Sequence, residues 1–95
     1  HPEIIEAGKA VDRLTPKNSV VIAAYNGDTA FLYQTKRHGW PNVELPINEL
    51  IDEGAQYYVS VNLNDRQTQE FVSKFKILEK TRTYVVLDLR EENEK

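Results

Sequence analysis

The chain has 95 residues, of which 40% are hydrophobic and 28% charged; these fractions belong to one globular domain and exclude a disordered or collagen-like chain. A net charge of -3 and an isoelectric point near 5.3 argue against a nucleic-acid binder, which needs a basic face. The absence of cysteine removes disulfides, zinc–thiolate sites and thiol nucleophiles together.

Periodicity and punctuation place the elements. Pro2 suits the first turn of a helix, where its missing N–H is no loss, and Glu3 and Glu6 lie where the helix dipole favours negative charge. Ile4, Ala7, Val11 and Leu14 follow the three-to-four spacing of a buried stripe. Pro16 restricts Thr15 away from helical geometry, which predicts the end of the helix. "SVVIAAY", residues 19–25, is a continuous apolar, β-branched run of the kind buried on both faces of a parallel sheet. Asp28 in "NGD" is an N-cap for a short helix to about Lys36 that buries Phe31 or Leu32 together with Tyr33. "NVELP" suggests a short extended piece. Pro46 opens another helix, with Ile47, Leu50 and Ile51 inward, and Gly54 closes it. "QYYVSV" is the second strand; Asn62 and Asn64 are turn and cap residues. Residues 65–74 form a helix facing inward through Phe71, Val72 and Phe75. "KILEKT" and "TYVVLDL" then read as an antiparallel hairpin, with Val85, Leu87 and Leu89 on one face.

The order α-β-α-α-β-α-β-β predicts an α/β fold. The expectation is a small layered domain with a mainly parallel four-stranded sheet, a C-terminal antiparallel hairpin whose last strand is an edge, and flanking helices. Residues 1–90 make the single domain, and residues 91–95 a charged tail. No apolar run approaches the roughly 18 residues of a membrane helix, and there is no signal-peptide pattern. The chain has no methionine, at position 1 or elsewhere, which leads to the expectation that it is a segment of a longer protein.

In open α/β sheets ligands bind beyond the carboxyl ends of the strands, which here carry Asn26-Gly27-Asp28 and Asn62-Leu63-Asn64-Asp65. A phosphoacceptor site would need a carboxylate where Asn26 and Asn62 stand. Neither a GxGxxG turn nor a GxxxxGK[ST] loop is present, and "NGD" reads as a turn and cap ahead of a phosphate cradle. Asp52-Glu53 and Glu91-Glu92 are adjacent pairs that do not converge on one atom. His1 and His38 offer no metal-ligand spacing, and no serine sits in a nucleophile elbow. No catalytic, metal or cofactor site is expected.

"TKRHGWP", residues 35–41, gathers Lys36, Arg37, His38 and the sole tryptophan, Trp40. One reading is structural: basic residues at a helix C-terminus, Gly39 in a left-handed turn, Trp40 packed over the sheet edge. The other is a platform for sugar, phosphate or lipid head groups, since aromatic rings beside cations suit them. The expectation combines the two, with Gly39 and Trp40 structural and Lys36, Arg37 and His38 facing solvent. The candidate binding residues are Lys36, Arg37, His38, Trp40, Asn26 and Asp28. The cluster Lys74, Lys76, Lys80 and Arg82 reads as solvated surface ahead of an anionic membrane contact.

"AGKAVDRLTPKNSVVIA", "DTAFLYQTKRHGW", "LIDEGAQYYVSV" and "FKILEKTRTYVVLDL" together resemble the C-terminal extramembrane domain of polytopic bacterial glycosyltransferases of the dolichyl-phosphate-mannose–protein mannosyltransferase type. The resemblance covers nearly the whole chain, and the R-x-G-W motif, here Arg37-His38-Gly39-Trp40, is its most specific part. His38 departs from it, lysine being the expected residue there. The resemblance implies a soluble accessory domain on the extracytoplasmic side of the cell membrane. The parent's membrane body would transfer a sugar from a polyprenyl-phosphate carrier to an acceptor. The implied partners are that body and lipid-linked sugar or acceptor, with no nucleic acid and a monomeric fragment. The catalytic acid, carrier-phosphate ligands and any metal would lie outside this chain. The alternative is a free-standing α/β module that binds a small molecule or protein.

Overall fold

The structure, a computed structural model, describes residues 2–93. In chain order its elements are α1 (Pro2–Leu14), β1 (Val20–Ala24), α2 (Thr29–Thr35), β2 (His38–Trp40), α3 (Ile47–Asp52), β3 (Tyr57–Ser60), α4 (Arg66–Lys74), β4 (Phe75–Lys80) and β5 (Val85–Glu92). The strands form one open mixed sheet in the order β2-β1-β3-β5-β4. β1 is parallel to β2 and β3, and β5 is antiparallel to β3 and β4.

Alternation along the strands divides the core into two layers. Val21, Ala23, Tyr57, Val59 and Val86 meet Ile4, Ala7, Ala10 and Val11 of α1 and Phe31 of α2 on one face. Ile22, Tyr58, Val85, Leu87 and Leu89 meet Leu50 of α3 and Phe71 of α4 on the other. The sheet is thus covered on both sides, which is why the apolar runs of β1 and β3 read as continuous rather than alternating. Phe31 and Tyr58 are the largest fully buried side chains, and burying an apolar side chain of such size contributes roughly 1.5–3 kcal/mol.

The α/β class, the flanking helices, the hairpin between β4 and β5, the interior place of β1 and the Asp28 cap follow the expectation. Four features differ. The sheet has a fifth strand, β2, formed by His38-Gly39-Trp40 inside the stretch read as a turn. The last strand is not an edge: β5 lies between β3 and β4, and β4 is the outer strand. Burial decides that order. Val85–Leu89 is buried throughout, whereas β4 carries Lys76, Glu79 and Lys80, charged residues suited to an exposed edge. β5 also continues through Glu92, opposite Phe75, two residues into the stretch read as a tail. Finally, Tyr33 is 80% exposed rather than buried. In α2 the inward phase belongs to Phe31 and Thr35, four residues apart on one stripe, and Tyr33 lies midway between them on the opposite side.

Three carboxylates are held as anions by neighbouring donors. The Arg37 guanidinium, by hydrogen bonding, holds the Asp12 carboxyl below its usual range. Hydrogen bonds from Tyr84 and then Arg13 do the same for Glu79. Burial pushes the Asp88 carboxyl up, but the side-chain and backbone hydrogen bonds of Arg90 outweigh it and carry it down. A carboxyl depressed in the folded state adds stability above its unfolded pKa and loses that stability as pH falls through the folded value. The melting temperature is therefore expected to be flat from pH 7 to about 5 and to fall steadily below about pH 4. Thermal melts across pH 2–7 check this; Asp88→Asn should flatten the acid limb, and an unchanged limb would remove Asp88 from the account.

Candidate functional site

Two adjacent parallel strands whose following helices lie on opposite faces leave a crevice at their carboxyl ends. β1 and β3 meet that condition. They pair in parallel; α2, after β1, joins the α1 layer, and α4, after β3, joins the other. A crevice of about 310 Å³ opens there. Ala24, Tyr25 and Asn26 form the β1 wall, Ser60, Val61 and Asn62 the β3 wall, and Asp65, Gln67 and Thr68 the start of α4; Glu3 and Asn42 border it.

The β1 wall is shaped by a turn. Asn26 and Gly27 both have positive φ, 53° and 77°, and the Asp28 N–H donates to the Tyr25 carbonyl at 2.9 Å. These are the φ signs of a type I′ turn, which Asn-Gly adopts at little cost. Asp28 itself is committed to α2, its Oδ1 accepting from the Ala30 N–H at 2.8 Å. The ring of Tyr25 meets Phe31 edge to face with centroids 6.2 Å apart, which couples the wall to the core.

The β3 side is a chain of hydroxyls. The Tyr58 hydroxyl is bonded to Thr68 Oγ1 at 2.7 Å, and Thr68 Oγ1 donates to Ser60 Oγ at 3.0 Å. Ser60 Oγ also accepts from the Asn62 N–H at 3.0 Å. Asp65 caps α4, its Oδ2 accepting from the Thr68 N–H at 3.0 Å. Burial pushes the Tyr58 phenol up, with Thr68 and Ser60 opposing through their hydrogen bonds, so it remains a neutral hydroxyl at physiological pH. These groups satisfy one another and hold the surface rigid. By contrast, Asn26, Asn62 and Gln67, exposed residues of the lining, have side-chain amides with no hydrogen bond among the described residues. Among the described residues the charged lining residues of the crevice are Glu3 and Asp65, and no described lysine, arginine or histidine lines it.

The six candidate binding residues are not brought together. Asn26 alone lines the crevice. Lys36, Arg37 and His38 surround a separate concavity of about 310 Å³ with Tyr33 and Gln34, at the amino end of β2 and so at the opposite end of the sheet. Lys36 and His38 are exposed as expected. Arg37 is not: its side chain is 2% exposed. It donates to the carbonyls of Pro16 at 3.0 Å, Thr15 at 3.0 Å and Asp12 at 3.3 Å, and to Asp12 Oδ1 at 2.8 Å. A helix leaves its last carbonyls without partners, and this guanidinium supplies them for α1. The left-handed residue is also displaced from the expectation, since Lys36 (φ 56°) ends α2 and Gly39 lies within β2. Trp40 is half-buried and packs against the core layer that contains Leu50 of α3. Asn42, Ser60, Gln67 and Thr68 were not singled out by sequence; the available signal was the run Asn62–Asp65 at a strand end. No family model, curated protein or solved structure matches the chain.

Proposed function

We propose that the chain is the non-catalytic accessory domain of a polytopic membrane glycosyltransferase that moves a sugar from a polyprenyl-phosphate carrier to an acceptor. In this reading the parent's membrane body holds it on the extracytoplasmic side, and it contributes recognition rather than reaction. The observation that carries the proposal is the crevice between β1 and β3, lined by polar residues that include Asn26, Asn62 and Gln67 and the fixed hydroxyl chain of Tyr58, Thr68 and Ser60. Sugar transfer needs a positioned base and a counter-charge for the carrier phosphate. Here the Asp65 carboxylate is engaged as a cap, Glu3 has a partner of its own, Tyr58 stays neutral, and no cation lines the crevice among the described residues. Such a surface holds a polar group without reacting with it.

The motif residues support the same reading. Arg37 secures α1, Gly39 lets β2 approach β1, and Trp40 packs on the core. They build the scaffold, as befits a domain whose chemistry lies in another part of the parent. Among the described residues no helix is long and apolar enough to cross a membrane, so the spans in this proposal are the parent's. The second reading is a free-standing binding module that would use the same crevice.

Purified protein incubated with a labelled polyprenyl-phosphate-linked hexose and an acceptor glycan is expected to transfer no sugar. The reading frame ahead of residue 1 is expected to encode several apolar spans. Transfer by the purified chain overturns the non-catalytic reading, and a start codon directly upstream leaves the free-standing module.

A further inference from the structure

We propose that the Asn26-Gly27 turn on the β1 wall of the crevice is a site of spontaneous covalent modification, at which Asn26 converts through a cyclic imide to aspartate and isoaspartate. The proposal is independent of what the crevice binds.

The chemistry asks for an unheld side-chain amide, a following backbone N–H that is not engaged, and room for the two to meet. Asn26 is the only asparagine followed by glycine, whose missing Cβ leaves the backbone nitrogen open to approach. The turn keeps that nitrogen free. Its one closing bond runs from the Asp28 N–H to the Tyr25 carbonyl at 2.9 Å, and such a turn gives its central N–H groups no partner. Neither the Gly27 N–H nor the Asn26 amide has a hydrogen bond among the described residues. Both residues are exposed, and nothing lies within 4 Å of a Cβ built on Gly27. Rotation about the Asn26 ψ bond that carries the nitrogen to Cγ has that one closing hydrogen bond to break.

The other asparagines lack this combination. The N–H after Asn18 donates to the Pro16 carbonyl at 3.1 Å, the one after Asn48 to the Pro46 carbonyl at 2.9 Å, and the one after Asn64 to the Asn62 carbonyl at 3.3 Å. After Asn42 stands Val43, β-branched and with its N–H on the Asn42 Oδ1 at 2.9 Å. The Asn93 amide is held by the Val72 and Ser73 carbonyls, each at 3.3 Å. Asn62 comes nearest, since the Leu63 N–H is also unengaged among the described residues, but the leucine side chain crowds the nitrogen.

The step balances with water alone. Hydroxide takes the Gly27 amide proton, and the nitrogen's electron pair forms a bond to Asn26 Cγ. The Cγ–Nδ2 bond breaks, and the leaving nitrogen takes a proton from water and departs as ammonia. Water then opens the imide at one carbonyl to give aspartate, or at the other to give isoaspartate. Either product adds a negative charge to a crevice lining that already contains Asp65, which disfavours anions there. Isoaspartate also routes the backbone through Cβ, two residues before the Asp28 cap of α2. Charge and shape at the crevice therefore change irreversibly with the age of the molecule.

The test is peptide mapping by mass spectrometry of the full 95-residue chain after incubation in mildly alkaline buffer, folded and in urea. In the folded protein Asn26 is expected to convert at least about tenfold ahead of every other asparagine, the ratio given by a barrier difference of about 1.4 kcal/mol. Isoaspartate is expected among the products, and the rate should rise with pH because the nitrogen must lose its proton. Gly27→Ala should slow conversion at least about tenfold, with its backbone NMR spectrum away from the turn unchanged as evidence of folding. Conversion of Asn26 in urea but not in the folded protein would overturn the proposal, since the turn would then protect the residue. Equal rates at all asparagines, or an unaltered rate in Gly27→Ala, would overturn it as well.

Discussion

Arg37→Ala is expected to destabilise the protein by about 3 kcal/mol or more, although arginine is ordinarily a surface residue. Its guanidinium is the partner of the Asp12, Thr15 and Pro16 carbonyls, and its side chain is 2% exposed. Truncation leaves the Thr15 and Asp12 carbonyls without the donor that Arg37 supplies, the buried one costing about 1–3 kcal/mol, while the Pro16 carbonyl keeps the Ser19 N–H; it also empties a buried side-chain position and removes the link between the end of α1 and the start of β2. Arg37→Lys should recover little, because one ammonium cannot reproduce a planar fork that bonds several carbonyls at once. His38→Ala, at the exposed neighbour, is the control and should stay within about 0.5 kcal/mol. Urea unfolding of the three variants decides the matter. A loss below about 1 kcal/mol for Arg37→Ala would return Arg37 to the solvated surface and reopen its role as a binding group.

The contrast between Arg37 and Asn26 shows what the sequence disclosed and what it withheld. Local signals were legible. The stripe of α1, the Asp28 cap, the buried run of β1 and the hairpin of β4 and β5 each depend on neighbours within a few residues. Long-range partners were not. Arg37 is bonded to Asp12, 25 residues away, and no periodicity encodes that distance. The missed strand β2 has three residues and gains its identity only from pairing with β1. The place of β5 was partly legible after all, since "YVVLDL" is the more apolar partner of the hairpin and "FKILEK" carries the edge charges. For the candidate site, the strand-end rule pointed to Asn26 and to Asn62–Asp65, and the crevice forms between them. Gln67 and Thr68 reach it only because α4 starts with its cap at Asp65.

Gly39→Ala is expected to have an effect of comparable size through a different cause, the close approach of two backbones. Gly39 pairs with Val21 at φ 154°, and a Cβ built there would lie 1.6 Å from the Val21 carbonyl oxygen. No rotamer relieves that contact, because both atoms are fixed by the backbone, so β2 must move away from β1. Backbone strain of this kind costs about 1–3 kcal/mol, and overpacking adds about 1–3 kcal/mol. Together they predict a loss on the order of 3 kcal/mol. The reporter is built in: Trp40, the only tryptophan, is the next residue of β2 and is half-buried on the α3 layer. Its native-state emission should shift to the red if β2 peels away. The crevice should feel the change too, since the Tyr25 N–H donates to the Pro41 carbonyl and Asn42 borders the site. Gly27→Ala separates the two causes, because Gly27 also has positive φ, 77°, but nothing lies within 4 Å of its added Cβ. That variant should lose only the conformational term, about 1–2 kcal/mol, with tryptophan emission unchanged. Equal losses for the two variants, with no red shift in Gly39→Ala, would mean that β2 does not pair with β1 through this glycine.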